Sequence, residues 1–382
     1  MKGFINAKIY LEGEGIKTTN LAFDGKIQYI GKKHSKITEQ IFLDSDDIVV
    51  PGFIDEHIHG AMDGDCMDGN ITALSTIANA LVGEGTTTFL ATTMTQSEDN
   101  INNALCSVKE YIDKKSDEGA KLLGVHLEGP FISLKHIGAQ PKEYVKTPSI
   151  ELFESFNSSC GGNIKIVTLA PEEYGASALI SHLAKSNITA QAGHTDATYS
   201  DIERAIGCGL SGITHTFNVQ KPLHHREIGT VGSALLLDEL YTEAICDTIH
   251  LSIPAIKLLI KNKPKDKVIL ITDSMRAKGF KDGISELGGQ TVIVKDGEAR
   301  LENGALAGSV LKMNVAIKNL VEKCGVPFTD AIDFATINPA THLSIADKVG
   351  SIKQGKNADF TVLDKDFNVK LTIRDGNIVY KA

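Results

Sequence analysis

Short apolar runs alternate with amphipathic segments through most of this 382-residue chain. The stretch "NITALSTIANALVGEG" places Ile71, Leu74, Ala78 and Leu81 on one helical face, with Asn70 as N-cap and Gly83 as the stop. The β-rich "TTTFLATT" follows it. Further apolar runs occur at "LLGVHLEGP", "NIKIVTLAPE", "ITAQAGHT", "SGITHTFN", "YTEAICD" and "KVILITDS", separated mostly by helical stretches such as "SDIERAIGCG" and "SIPAIKLLIKN". Counting "GFIDEHIHG", there are eight such runs. Strands alternating with helices over this length predict a parallel sheet, and eight strands is the count of a (β/α)8 TIM-like barrel.

Both ends of the chain read differently. "FINAKIYLEG" and "KTTNLAFDGKIQYIG" near the start, and "ADFTVLDKD" and "VKLTIRDGNIVYKA" at the end, are strand-like, with Asp24-Gly25 and Asp375-Gly376 as hairpin signals. Neither set has enough strands to close a core alone. Residues 1–52 and 345–382 are therefore expected to form one small β-sandwich domain, interrupted by a catalytic barrel over 53–344.

Charge and cysteine content narrow the partners. The 39 basic and 48 acidic residues leave a net charge of −9, and no basic run tracks a phosphate backbone, which argues against nucleic acid. The six cysteines form no C-x-x-C pair, so neither a disulfide framework nor a thiolate zinc knuckle is expected. No stretch reaches the roughly 18 apolar residues of a membrane span, and the N-terminal segment lacks the core of a signal peptide. A cytoplasmic protein without a membrane partner is expected.

The chemistry collects at the ends of the apolar runs. His57 and His59 close the first in "PGFIDEHIHG", Glu128 ends "GVHLEG", His194 ends "TAQAGH", His215 lies in "GITHTFN" and Asp273 ends "VILITD". In an extended strand positions 57 and 59 share one face and Glu56 and Ile58 the other. In a barrel the C-terminal strand ends surround one mouth, so these four histidines and two carboxylates are expected to converge. Any one of them alone reads more simply as a polar strand end. Together they form a nitrogen and oxygen donor set suited to Zn²⁺ and similar divalent ions.

In this order, "PGFIDEHIHG", "HLEGPF", "GHTDA", "THTFN", "HHREIG", "ITDSM" and "LAGS" resemble the N-acetylglucosamine-6-phosphate deacetylases of the amidohydrolase superfamily, over essentially the whole chain. The resemblance implies hydrolysis of the acetamide of a sugar 6-phosphate to acetate and the free amine. It implies that Glu128, His194 and His215 hold the principal metal, zinc or iron, and that Asp273 is general base and acid. His57 and His59 match the branch that keeps two histidines here, implying a second metal with Glu128 as bridge. His250 in "CDTIHL" is implied to hydrogen-bond the substrate and help polarise its carbonyl.

For the phosphate, the resemblance implies main-chain contacts from Asn218 and Val219, and Arg226 reaching into a neighbouring subunit of a homodimer. Leu306 and Ala307 belong to "GALAGSV", which resembles the family's substrate-covering segment and reads equally as a cap before a helix starting near Ser309. Gln140 in "GAQPKE" stands where some relatives have histidine, and is expected to hydrogen-bond a sugar hydroxyl. The chemistry follows without the name: a divalent ion lowers the pKa of water to about 7, making hydroxide available to attack the amide carbonyl. Asp273 takes the proton and returns it to the leaving amine. Other readings are the galactosamine epimer as substrate, a cyclic amidase or deaminase on the same scaffold, and a non-catalytic metal-binding protein.

Overall fold

A computed structural model describes residues 1–33 and 37–382. Eight parallel strands form the central sheet in chain order: β1 (Phe53–Ile58), β2 (Thr86–Thr92), β3 (Lys121–Glu128), β4 (Ile164–Leu169), β5 (Thr189–Ala192), β6 (Leu210–Ile213), β7 (Tyr241–Ile245) and β8 (Val268–Ile271). Each falls on one of the eight apolar runs of the sequence, β3 and β6 starting one residue earlier. The outer layer comprises α1 (Ile71–Val82), α2 (Glu98–Asp113), α3 (Ile150–Ser159), α4 (Ala176–Lys185), α5 (Tyr199–Cys208), α6 (Gly229–Leu236), α7 (Ile253–Asn262) and α8 (Met313–Glu322). These are followed by α9 (Phe328–Phe334) and α10 (Ile337–His342). The architecture is the (β/α)8 barrel that the alternation predicts.

Helix α1 shows how local sequence sets an element. The Asn70 side chain accepts a hydrogen bond from the Ala73 N–H, Gly83 ends the helix, and Leu74, Ile77, Ala78 and Leu81 are buried on its inner face. Between β8 and β1 no ladder forms among the described residues. The barrel closes there through the Asp273 N–H to the His57 carbonyl (2.9 Å) and through buried Asp55, which accepts from the Thr272 Oγ1–H (2.5 Å) and the Thr272 N–H (3.3 Å). Asp55 is almost wholly desolvated, which pushes its carboxyl up to about 7.

The expected helix start near Ser309 is not observed. Ser309 instead donates its hydroxyl to the Thr272 carbonyl and accepts from the Leu311 N–H, stapling the loop to the end of β8, and α8 begins at Met313. A three-stranded antiparallel sheet, Gly283–Leu287, Gln290–Lys295 and Glu298–Leu301, also occupies the β8–α8 connection. Its first strand is mostly exposed and carries little apolar signal. It is fastened over the mouth by Gln290 Nε2 donating to the Ala139 carbonyl (2.6 Å).

The strands at both ends of the chain form one further sheet with its own core, in which the Phe4, Phe23 and Phe360 rings lie 5.1–6.2 Å apart. Its halves join where Ile48–Pro51 pairs with Phe360–Leu363. Thr361 and Thr372 donate to the carbonyls of Gly85 and Val82, and the buried Arg374 guanidinium donates to those of Ser116, Glu118 and Gly119. These loops precede β2 and β3, so the small sheet docks on the end of the barrel away from the mouth. Among the described residues no helix is long and apolar enough to cross a membrane.

Candidate active site

Four histidines and two carboxylates meet at the C-terminal ends of β1, β3, β5, β6 and β8. Glu128 is the centre. Its Oε1 lies 3.1 Å from Nε2 of His194 and 3.1 Å from Nε2 of His215, and its Oε2 lies 3.3 Å from Nε2 of His59. His59 Nε2 is also 3.2 Å from Asp273 Oδ1. His57 Nε2 lies 3.5 Å from Asp273 Oδ1 and 3.7 Å from Glu128 Oε1. His194, His215 and Asp273 adopt left-handed backbone, at φ 47, 30 and 46°, so the chain kinks where it leaves its strand. Such strain in non-glycine residues persists only where the surroundings over-determine it.

The expected face-sharing of Glu56 with Ile58 fails. The β1–β2 register shifts between Asp55 and Ile58, and Glu56 turns into the barrel, where it bonds His342 Nδ1 (2.9 Å) and approaches Gln191 Nε2.

The electrostatics call for a cation. The Nε2 atoms of His194 and His215 lie 3.2 Å apart, and both face Glu128 Oε1. His57 Nε2 is buried with no hydrogen-bond partner among the described residues. Burial opposes ionisation of Glu128, yet His194 and His215 on Oε1, with His57 and His59 nearby, hold its carboxyl well below the usual range. Burial likewise opposes charge on Asp273 and on His57. His57 and His59 nevertheless keep Asp273 at about 2, and Glu243, Asp273 and Glu128 raise His57 to about 9. Electron-rich atoms packed this closely suit a divalent ion, and two groups, Glu128–His194–His215 and His57–His59–Glu128, have donor atoms close enough to share one.

A small cavity opens over these groups. His250, Asn218, Val219, Gln140, Leu306 and Gly308 contribute to its wall. His250 is held by Asp247, whose Oδ2 lies 2.6 Å from Nδ1 and whose Oδ1 accepts from the His250 N–H. Three expected contacts need correction. Gln140 donates its amide to Glu128 Oε2 (2.9 Å) and accepts from the Thr95 N–H (2.7 Å), so it orients the central carboxylate, and its second amide hydrogen and second oxygen lone pair remain for a sugar hydroxyl. Ala307 is fully buried behind the wall, its N–H bonded to the Ala299 carbonyl. The Asn218 N–H closes a turn onto the His215 carbonyl, leaving the Val219 N–H as the main-chain donor with no partner among the described residues. Arg226 is exposed, holds its Nη1 2.7 Å from His225 Nε2, and stands outside this cavity.

The sequence reading missed Glu243, Asp247 and His126. Glu243 accepts from His57 Nδ1 (3.0 Å) and from the His215 N–H (3.1 Å). His126 bonds the Glu56 carbonyl through Nδ1 and Thr168 through Nε2, and burial pushes it down to about 3, so it is a neutral core histidine. Glu243 sits mid-strand in "YTEAI", where nothing local separates it from an outward polar residue.

Residues 48–379 match the model of the amidohydrolase family. The chain is 44% identical over 377 residues, 97% of its length and 95% of the relative's, to the N-acetylglucosamine-6-phosphate deacetylase of Bacillus subtilis. The crystal structure of the N-acetylglucosamine-6-phosphate deacetylase of Thermotoga maritima matches with a TM-score of 0.89 at 37% identity, covering 99% of both chains. An aspartate-to-alanine mutant of the Mycobacterium smegmatis enzyme, solved with N-acetyl-D-glucosamine 6-phosphate, matches with a TM-score of 0.91 at 26% identity over 100% of this chain and 99% of that one.

Proposed function

The chain belongs to the amidohydrolase family, and on that premise we propose that it hydrolyses N-acetyl-D-glucosamine 6-phosphate to D-glucosamine 6-phosphate and acetate. The observation that carries this reading is the convergence of Glu128, His194, His215, His59 and Asp273 on one cavity, in a chain similar over nearly its whole length to deacetylases of that substrate.

Glu128, His194 and His215 would hold one divalent ion, zinc or iron, and His57 and His59 would hold a second with Glu128. When bound, such an ion lowers the pKa of water to about 7 and polarises an amide carbonyl. Asp273 is ionised at neutral pH and faces the donor cluster, so it is ready to take the proton of the attacking water. Returning that proton to the amide nitrogen turns a poor leaving group into an amine. His250 stands across the cavity with Nδ1 engaged by Asp247. A proton on Nε2 would donate to the acetamide oxygen as charge builds on it.

For the phosphate, the unengaged Val219 N–H supplies one donor. Arg226 would complete the site of a second copy in a homodimer, a reading supported by its exposure outside its own chain's cavity. Six free thiols fit a reducing cytoplasm. Acetate release from N-acetylglucosamine 6-phosphate, with the galactosamine epimer in parallel, tests the reading. No acetate from either sugar with zinc or iron supplied would sink it. Arg226→Ala is expected to raise KM about tenfold or more with a smaller effect on kcat, because the phosphate is remote from the bond being cut, and steady-state kinetics on the phosphorylated sugar measure the split.

A further inference from the structure

We propose that Glu243 is a positioning residue for the metal centre, fixing His57 with its proton on Nδ1 so that Nε2 is the atom presented to the ion, and tying down the backbone of His215. The inference rests on the two-ion reading above.

Glu243 is wholly enclosed in β7. One oxygen, Oε2, accepts from both His57 Nδ1 (3.0 Å) and the His215 N–H (3.1 Å). The backbone N–H can only donate, so this oxygen is an acceptor, and a carboxylate there selects the His57 tautomer with hydrogen on Nδ1. In the neutral ring that an ion requires, the lone pair is then on Nε2, the buried atom that lacks a hydrogen-bond partner among the described residues. Its distances of 3.5 Å to Asp273 Oδ1 and 3.7 Å to Glu128 Oε1 are too long for good hydrogen bonds, so neither carboxylate satisfies it.

The Glu243 carbonyl also accepts from the Thr216 N–H (2.9 Å), so side chain and backbone together grip the segment that carries His215. One residue thus spans the ligands of both proposed ions. Glu243 also lies within reach of His57 and His126, a third group of donor atoms close enough to share an ion. Both nitrogens of His126 are already engaged by the Glu56 carbonyl and Thr168, which leaves that group without a second imidazole ligand. Glu243 therefore serves from behind the ligands, as carboxylates that receive a ligand's second N–H do elsewhere, where their loss weakens metal binding ~10–100-fold.

The test measures metal retained by the purified, metal-loaded full chain after dialysis against increasing concentrations of a weak chelator, by elemental analysis. Wild type is expected to carry two ions per chain. Glu243→Gln keeps the acceptor oxygen but not its charge, and is expected to lose one ion at ~10–100-fold lower chelator concentration. Glu243→Leu removes the acceptor, and is expected to retain at most one ion. Thermal melting shows whether Glu243→Leu is folded; if it is not, Glu243→Gln decides. Retention equal to wild type in Glu243→Gln and any folded Glu243→Leu overturns the proposal, whether the wild type holds one ion or two. Acetate release by the wild type is read on the same preparation, so a failed positioning role is told apart from a failed deacetylase reading.

Discussion

His250 and Asp273 face the same cavity from different strands, and the structure separates their tasks. Asp273 touches the metal-ligand cluster, whereas the Asp247 carboxylate reaches the cavity only through His250. Asp273→Asn is expected to leave the metal content nearly intact while lowering kcat about 10²–10⁴-fold, because it removes proton transfer more than ligation; elemental analysis beside turnover checks it. Asp247→Asn keeps an acceptor for Nδ1 but removes the charge facing the ring, so kcat is expected to fall about tenfold with unchanged metal content. Equal metal loss would contradict either role. The groups at strand ends were legible in the sequence because they share one relative position in successive apolar runs. Glu243 and His126 were not, since a polar residue inside a strand shows its meaning only through partners on other strands, here β1, β4 and β6.

At the scale of elements, the eight barrel strands follow from apolar runs long enough to stand out against their surroundings. The three-stranded sheet over the mouth does not, because its first strand packs little and its other two, though they alternate, are short. The hairpin signals Asp24-Gly25 and Asp375-Gly376 were visible, but not that the two turns abut. Gly376 has φ 76°, and a Cβ there would stand 1.7 Å from the Asp24 carbonyl oxygen. Gly376→Ala therefore combines an unfavourable left-handed conformation with a backbone clash. It is expected to cost more than ~2 kcal/mol, read as a lowered denaturation midpoint, while leaving KM unchanged.

Across the whole molecule, stability and chemistry occupy opposite ends of the barrel. Asp359, on the small sheet beside that turn, is nearly buried, accepts from the Asp375 N–H (2.6 Å), and is pushed by burial from 3.8 to about 7. The folded protein thus holds this proton to higher pH than the unfolded chain. The group's contribution to stability is full below about pH 4 and is lost as pH rises through about 7. Asp359→Asn is expected to abolish a decline on the order of 2 kcal/mol between pH 5 and pH 8, measured by urea denaturation of variant and wild type at both pH values. A parallel decline in the two proteins would show that the carboxyl titrates normally.

The pairing of Ile48–Pro51 with Phe360–Leu363 also has a temporal side. During synthesis the first strands of the small sheet leave the ribosome roughly 300 residues before the strand that completes them, an interval of about 15–60 s at ~5–20 residues per second. Phe4 and Phe23 have no Phe360 to pack against in that time, although the barrel between them can already be collapsing. The strands translated after the barrel are thus those that convert an open, apolar sheet edge into a finished one. A ribosome stalled before residue 360 would present that edge to chaperones and to other nascent chains.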